Sequence, residues 1–307
     1  MSQDFTIADL GALNIARQQV LFLHNQSVLT RGAAALTRRA VLAPLCTFTG
    51  VHTSIDSDEG LILQAQRFAG RSLAALIFAA PQTLSAYTPL VEFMLKQLGP
   101  YGVQGVVAEL DEHSAASAAL QKAGLSAQTH QRIWKCTTLP SAGQDNLLWQ
   151  PYLSRHALAV RLLRNSQVPP QLQHLEYGPA DTQDSFVLYH EGTLTAFADV
   201  QRGPKGIWVQ LTAQPGQHMA DRLMALLIQL RPRASRPVYF SVRAHQDWLE
   251  PLLEGLDAQP GPRQVVLVRR MVQPVKVHDV QKIARAAGIE ASTIQYPVQQ
   301  AAPVDEQ

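Results

Sequence analysis

The chain is poor in several things that would have named a function class at once. It has 2 cysteines in 307 residues, Cys46 and Cys136, far apart in sequence. Two such residues build neither a disulfide scaffold nor a multi-thiolate zinc site, and they suit a reducing compartment. Charged residues are scarce, at 16%, where about 25% is usual. The 26 Lys and Arg against 24 Asp and Glu leave a net charge of +2, which exerts no general pull on nucleic acid or anionic membrane. One basic cluster, Arg31, Arg38 and Arg39, reads as a solvated helix face. The longest apolar run, Leu73 to Ala80, falls far short of the roughly 18–20 residues of a membrane span. Asp4 and Asp9 stand where a signal peptide wants basic residues. A soluble, cytoplasmic protein is the expectation.

Motifs are also missing. No Gly-x-x-x-x-Gly-Lys-Ser/Thr phosphate loop, no dinucleotide Gly-x-Gly-x-x-Gly and no Gly-x-Ser-x-Gly nucleophile elbow occurs. No His, Asp and Glu cluster has metal-ligand spacing, so no metal site is expected. Trp134, Trp149, Trp208 and Trp248 are scattered, unlike the stacking platform of a single-strand nucleic-acid binder.

What is present is bulk and repetition. Hydrophobic residues make up 46%, enough for a sizeable core, and the length suggests two domains of about 100–200 residues each. Gln97-Leu98-Gly99-Pro100 returns as Gln229-Leu230-Arg231-Pro232, and the same spacing joins Gln82 to Gln214, Val106 to Val238 and His113 to His245. Gly124-Leu125-Ser126-Ala127-Gln128 returns, one residue closer, as Gly255-Leu256-Asp257-Ala258-Gln259. Matches that keep register point to an internal duplication.

Both copies carry one order of elements. In the second, strands are expected at 185–190, 193–201 and 207–212, the first two joined at Glu191-Gly192. A helix at 218–230 follows, with Met219, Leu223, Leu226, Leu227 and Leu230 on one face. Then come a strand at 238–242, a short helix at 246–253 and a strand at 265–270. The first copy gives strands at 60–68, 72–80, 106–110 and 129–135, with helices at 88–98 and 115–123. Helices are expected ahead of each set, at 13–26 and 152–163. Residues 138–146 have a linker's composition. The tail from 273 holds one possible helix, 277–287, and is otherwise loose or an oligomer contact.

This order resembles the GNAT superfamily of acyl-CoA N-acyltransferases, best where residues 116–125 close on Ala123-Gly124-Leu125 and where Leu252-Leu253-Glu254-Gly255-Leu256 repeats the pattern. The family's short helix ends in a leucine-tyrosine-x-x-x-glycine-phenylalanine motif. The resemblance implies a mixed α/β, α+β chain of two GNAT-like domains. Each would be a mixed, mostly antiparallel sheet flanked by helices: residues 1–138, non-catalytic, and residues 147–272, followed by a partly disordered tail, 273–307.

It further implies acetyl-CoA or another acyl-CoA as co-substrate and a small-molecule or peptide amine as acceptor, with no nucleic acid, no membrane and a possible oligomer. In this family the long helix receives the pyrophosphate at its N-terminus, where free amides and the helix dipole favour anions. The usual loop there is Gln/Arg-x-x-Gly-x-Gly/Ala. Setting Ala220 on its last small residue puts Pro215 on the Gln/Arg position and His218 on the first glycine. Cofactor contacts are therefore expected from Gln214, Gly216, Gln217, His218 and Ala220, with Thr212 and Ala213 offering strand-end amides to the thioester and pantetheine. The first copy, Gln82-Thr83-Leu84-Ser85-Ala86-Tyr87-Thr88-Pro89, has no glycine there.

The general base would be Glu191 or Asp199, against the plain structural reading of a turn residue and an edge charge. The family's proton-donating tyrosine falls on Leu120 and Pro251, neither of which donates. Tyr239 and Ser241 read as core residues, and the recurring His113 and His245 as turn or cap residues. The alternative function is a catalytically inactive tandem pseudo-enzyme serving as a ligand-binding or assembly module. An unrelated two-domain α+β binding protein survives only if the repeat is accidental.

Overall fold

In a computed structural model the chain is described over residues 2–4, 20–33, 35, 51–56, 61–68, 71–80, 87–137, 149–175, 184–230 and 236–271. All of these lie in one unit, residues 1–271. The first half supplies β1 (Ser2–Asp4), β2 (Leu21–Phe22), α1 (Asn25–Arg31), β3 (Val51–Asp56), β4 (Leu61–Gln66) and β5 (Leu73–Ala80). It continues with α2 (Tyr87–Leu98), β6 (Gly105–Asp111), α3 (Ala115–Lys122) and β7 (Ser126–Cys136). The second half supplies β8 (Trp149–Pro151), α4 (Ala157–Gln167), β9 (Phe186–His190), β10 (Thr193–Arg202), β11 (Ile207–Ala213) and α5 (Met219–Leu230). It ends with β12 (Val238–Arg243), a 3-10 turn (Ala244–Leu249), α6 (Glu250–Glu254) and β13 (Gln259–Arg270). The helices α2 and α5 begin and end 132 residues apart, the spacing of the sequence repeat.

The described strands join in a single sheet, ordered β1-β3-β4-β5-β6-β13-β7-β12-β11-β10-β9-β8, with β2 beside β5. The final strands of the halves are exchanged. β13, from the end of the second half, pairs antiparallel with β6, and β7, from the end of the first, pairs antiparallel with β12. The two exchanged strands pair with each other at the centre, Arg132 opposite Arg263 and Gln131 opposite Gln264. Two hydrophobic cores lie under the helices: Leu90, Met94 and Leu98 of α2 with Leu120 of α3, and Leu223, Leu227 and Leu230 of α5 with Leu253 of α6.

Side chains close the helix ends. Ser114 caps α3 by accepting from the Ser117 amide. Arg269 donates to the Ala123 carbonyl at 2.7 Å and Arg202 to the Leu230 carbonyl at 2.7 Å, satisfying carbonyls that a helix C-terminus leaves over. The first-half helix α1 reaches across to the second half, where its Thr30 carbonyl accepts from the Lys205 amide at 2.9 Å.

Most expected elements stand within a few residues of their places. The helix expected at 13–26 is corrected where the structure describes it: Leu21–Phe22 is extended, and helix begins only at Asn25. The last strand starts at Gln259 rather than 265. The short helix expected at 246–253 is a 3-10 turn running into five α-helical residues. The linker 138–146, the pyrophosphate loop of the first copy at 82–86, Arg38, Arg39 and the tail helix at 277–287 lie outside the described residues. No described helix is long and apolar enough to cross a membrane.

Candidate active site

Each half contains one pair of adjacent parallel strands that part company. In the first, β5 and β6 pair only from Leu73–Gly105 to Ala75–Val107. In the second, β11 and β12 pair only from Ile207–Val238 to Gln210–Ser241. Beyond the last rung the strands diverge toward their C-terminal ends, leaving backbone groups turned into a V-shaped opening.

The first opening is filled by the protein itself. Leu21 and Phe22 pair with Ala79 and Phe78 of β5. Leu23 then donates its amide to the Ile77 carbonyl at 2.9 Å, and its carbonyl accepts from the Glu109 amide of β6 at 2.7 Å. One extended stretch of chain thus bridges both arms of the V. Its far end is anchored by Asn25, whose amide and Nδ2 both donate to Glu109 Oε2 at 3.2 and 3.3 Å. Asn25 Nδ2 also donates to Gln264 Oε1 at 2.9 Å. Gln131 Nε2 shares that acceptor at 2.9 Å, and Ser241 donates to Gln131 Oε1 at 3.3 Å. Arg243 stands 3.5 Å from Glu109, both side chains 3% exposed. Burial by itself would raise the pKa of Glu109, but His24, Arg243 and the Asn25 donors hold it below the usual value. Removing either partner of such a buried ion pair would leave an uncompensated charge, which is strongly destabilising.

The second opening is built from the corresponding strands, β11 and β12, and among the described residues no strand pairs into it. The Gln214 amide donates to the Thr195 carbonyl at 2.9 Å. By the alternation of an antiparallel ladder, Thr212 and Gln214 turn their backbone groups to β10, and Leu211 and Ala213 turn theirs toward β12. Since the rungs to β12 stop at Gln210, the Ala213 backbone faces the opening. The Leu211 carbonyl accepts from Gln246 Nε2 at 2.6 Å, a side chain reaching across from the 3-10 turn.

Directly above, Pro215, Gly216, Gln217 and His218 are exposed. A Cβ on Gly216 would meet nothing within 4 Å. His218 has φ of 63°, the left-handed conformation glycine adopts most readily, so it fills the glycine position of the loop in geometry though not in residue type. Its carbonyl accepts the first helical bond, from the Arg222 amide at 3.0 Å. Met219 buries itself under the helix, and the small Ala220 is exposed at its first turn. The structure therefore brings Thr212, Ala213, Gln214, Gly216, Gln217, His218 and Ala220 to one strand end and helix start. One feature opposes an anion there: Asp221, in the same first turn, lies 3.4 Å from His218 Nδ1, and both side chains are exposed.

The two carboxylates sit at opposite ends of the opening. Asp199 lies opposite Gln210, at the foot of the V, buried and on the sheet face away from α5. Ser185 donates to it at 3.3 Å. Burial pushes its pKa up, with Arg71 and Ser185 pulling the other way. Glu191 is on the rim, at the β9–β10 turn, with φ of 49° and a side chain 87% exposed beside His190.

Tyr239 is half-buried on β12 and burial raises its pKa. The His113 amide donates to Asp111 in a turn. His245 is different: both its ring nitrogens are buried without a hydrogen-bond partner, and burial and Arg243 lower its pKa to about 4. Sequence reasoning missed the filler segment and its anchors. The signal was Glu109 within the apolar run Val106–Leu110 and Arg243 after Val238–Val242, each a charge where a buried strand should have none.

No family model and no curated protein sequence matches the chain. Solved structures do. A GCN5-related N-acetyltransferase from Sphaerobacter thermophilus superposes with a TM-score of 0.52 at 12% identity, over 90% of this chain and 96% of that one. A GNAT-family acetyltransferase from Colwellia psychrerythraea gives 0.46 at 11%, over 88% and 100%. A tandem GNAT protein from the clavulanic acid biosynthesis pathway gives 0.48 at 11%, over 90% and 99%. The Sphaerobacter superposition, at such low identity, establishes the fold.

Proposed function

With the GNAT fold as its premise, we propose that this chain is an acyl-CoA-dependent N-acyltransferase, acetyl-CoA being the first choice, with a single working site in its second half. The observation that carries the proposal is the asymmetry of the two openings. Residues 21–25 occupy the V of the first half, whereas among the described residues no strand pairs into the V of the second, beside the Ala213 backbone and the open Gly216 loop. The residues present fit the co-substrate. Gln214, Gly216, Gln217, His218 and Ala220 would hold its pyrophosphate at the start of α5, and Thr212 and Ala213 would flank its pantetheine arm. Bound there, it supplies a thioester carbonyl, and the inward amide of Ala213 is placed to hydrogen-bond that oxygen.

The reaction joins the amine nitrogen to the acyl carbon as the carbon–sulfur bond breaks. One amine proton passes to a carboxylate, Asp199 through water from the foot of the V or Glu191 from the rim. The thiolate takes its proton from solvent, since Pro251 stands at the family tyrosine position in this half. In this reading the first half, 1–138, is the non-catalytic domain and 147–272 the catalytic one, with the exchanged strands tying them together.

A second reading, a catalytically silent binding module, draws on the Gln246–Leu211 bond, which already uses a carbonyl turned into the V, and on Asp221 at the helix start. Thiol release from acetyl-CoA, measured with a panel of primary amines, separates the two. Amine-dependent release that disappears when Gly216 is made bulky supports catalysis. Binding of acetyl-CoA with no release by any amine supports the module.

A further inference from the structure

A cavity of about 220 Å³ lies at the seam of the two halves, where the end of β12 stands beside the middle of β7 and the exchanged β13. Its lining is strongly charged. Arg132 and Arg263 come from neighbouring strands, and register brings them together on one face, Arg132 standing beside Val242 on one side and Arg263 on the other, while Arg243 turns its side chain to Glu109 on the opposite face. Asp247 and Glu250, from the 3-10 turn and α6, face them.

The local ion pairs do not exhaust these groups. Arg132 reaches Glu250 through NH1 at 2.8 Å, yet its Nε is buried with no hydrogen-bond partner. Arg263 contacts Glu112 at 3.4 Å while its side chain stays 59% exposed, a geometry that holds a guanidinium loosely. Glu112 is shared with His130, 3.1 Å away. Asp247 is exposed. Arg263 therefore keeps guanidinium donors turned to solvent at the cavity wall, where a ligand can bring an acceptor.

The cavity is also placed for the chemistry. Ala244, in its wall, is three residues past the last rung at Ser241; Ala213 is three past the paired Gln210. The two alanines stand at one level across β11 and β12. The turn that forms the cavity wall also sends Gln246 into the V. One stretch of chain, residues 242–246, therefore separates the cavity from the open end of the V.

We propose that this cavity holds the acyl acceptor, and that the acceptor is a small molecule bearing both an amine and a carboxylate, an amino acid or a close analogue. The inference rests on the acyltransferase reading. A planar carboxylate matches guanidinium donors in pairs, here Arg132 and Arg263. The ammonium end is drawn to Asp247 on the turn nearest the V; with an acceptor held there, Asp247 rather than Asp199 or Glu191 takes the proton that frees the nitrogen, the nitrogen joins the acyl carbon as the carbon–sulfur bond breaks, and its second proton passes through water to the leaving thiolate. Two arginines side by side disfavour a polyamine, whose positive charges would face them.

The test is titration of the full chain, with and without CoA, using the standard amino acids and γ-aminobutyrate against putrescine and spermidine, followed by NMR of the small molecule. The same series is run on Arg263→Gln, which is exposed enough to leave folding intact, and on Gly216→Leu. The expected result is binding of at least one carboxylate-bearing amine, weakened about tenfold or more by Arg263→Gln and retained in Gly216→Leu. Preference for putrescine or spermidine overturns the proposal and leaves the acyltransferase reading standing, as does CoA binding with no amino-acid binding up to about 10 mM. Amino-acid binding unaffected by Arg263→Gln moves the acceptor elsewhere and overturns it too. Amino-acid binding without any CoA binding removes the acceptor role and refutes the acyltransferase reading itself.

Discussion

Replacing Gly216 with leucine separates binding from folding more cleanly than any other change in the second half. The residue is exposed, its φ lies outside the left-handed region, and an added Cβ meets nothing within 4 Å. The cost to the free protein is therefore that of a benign surface change, within about 0.5 kcal/mol. For a bound pyrophosphate the consequence is different. Phosphate oxygens reach helix-start amides only where the backbone is bare, and each charge-assisted bond lost is worth about 1.5–3 kcal/mol. Two lost bonds amount to about 3–6 kcal/mol, or at least a hundredfold weaker binding. Thermal unfolding and calorimetric titration with CoA on the same preparation give both quantities. An unchanged midpoint with a hundredfold loss of affinity is expected. Unchanged affinity would remove residues 214–220 from the site, and a collapsed midpoint would show that the loop bears on the fold in a way the geometry denies.

Other predictions concern the filler and the helix start. Gly203→Ala drives a Cβ into the Thr30 carbonyl of α1, backbone against backbone, and should cost about 1–3 kcal/mol in denaturant unfolding; no loss would mean that α1 does not pack there. His24 is fully buried beside Ser27, its Nδ1 2.7 Å from the Ser27 hydroxyl, and burial lowers its pKa from 6.5 to about 4. Its folded form binds fewer protons than the unfolded chain. Stability is thus complete above pH 6.5 and falls by about 3 kcal/mol as pH drops toward 4. His24→Gln should flatten that part of the pH–stability curve, and an identical curve would count against it. Asp221→Asn removes a carboxylate from the place proposed for phosphate and should tighten CoA binding several-fold, more at low salt; weaker binding would assign Asp221 a contact of its own.

The helices α2 and α5 were plain in the sequence because apolar residues recur on one face and a proline follows each repeat of Gln-Leu. The strand end and helix start of the second half were legible for the same reason: Gln214-Pro215-Gly216 breaks one apolar run and precedes another. The segment Leu21-Phe22-Leu23 was not. A short apolar run fits helix or strand equally, and what makes it extended is distant in sequence, the Ile77 carbonyl and the Glu109 amide. The start of β13 was hidden by Pro260, Gly261 and Pro262, residues that a central strand normally excludes; the ladder skips between Pro260 and Arg263 to pass them. Strand exchange left no local trace at all. β7 and β13 carry the same alternation whichever sheet they enter, and only the pairing partners tell the two arrangements apart.

The central claim is that one opening is closed by the chain and the other takes the co-substrate. Calorimetric titration of the whole protein with acetyl-CoA and with CoA tests it most directly. The account predicts micromolar binding at one site per chain, weakened about a hundredfold or more by Gly216→Leu. Two sites per chain would show that residues 21–25 do not fill the first opening, and no binding up to about 1 mM would contradict the acyltransferase reading outright.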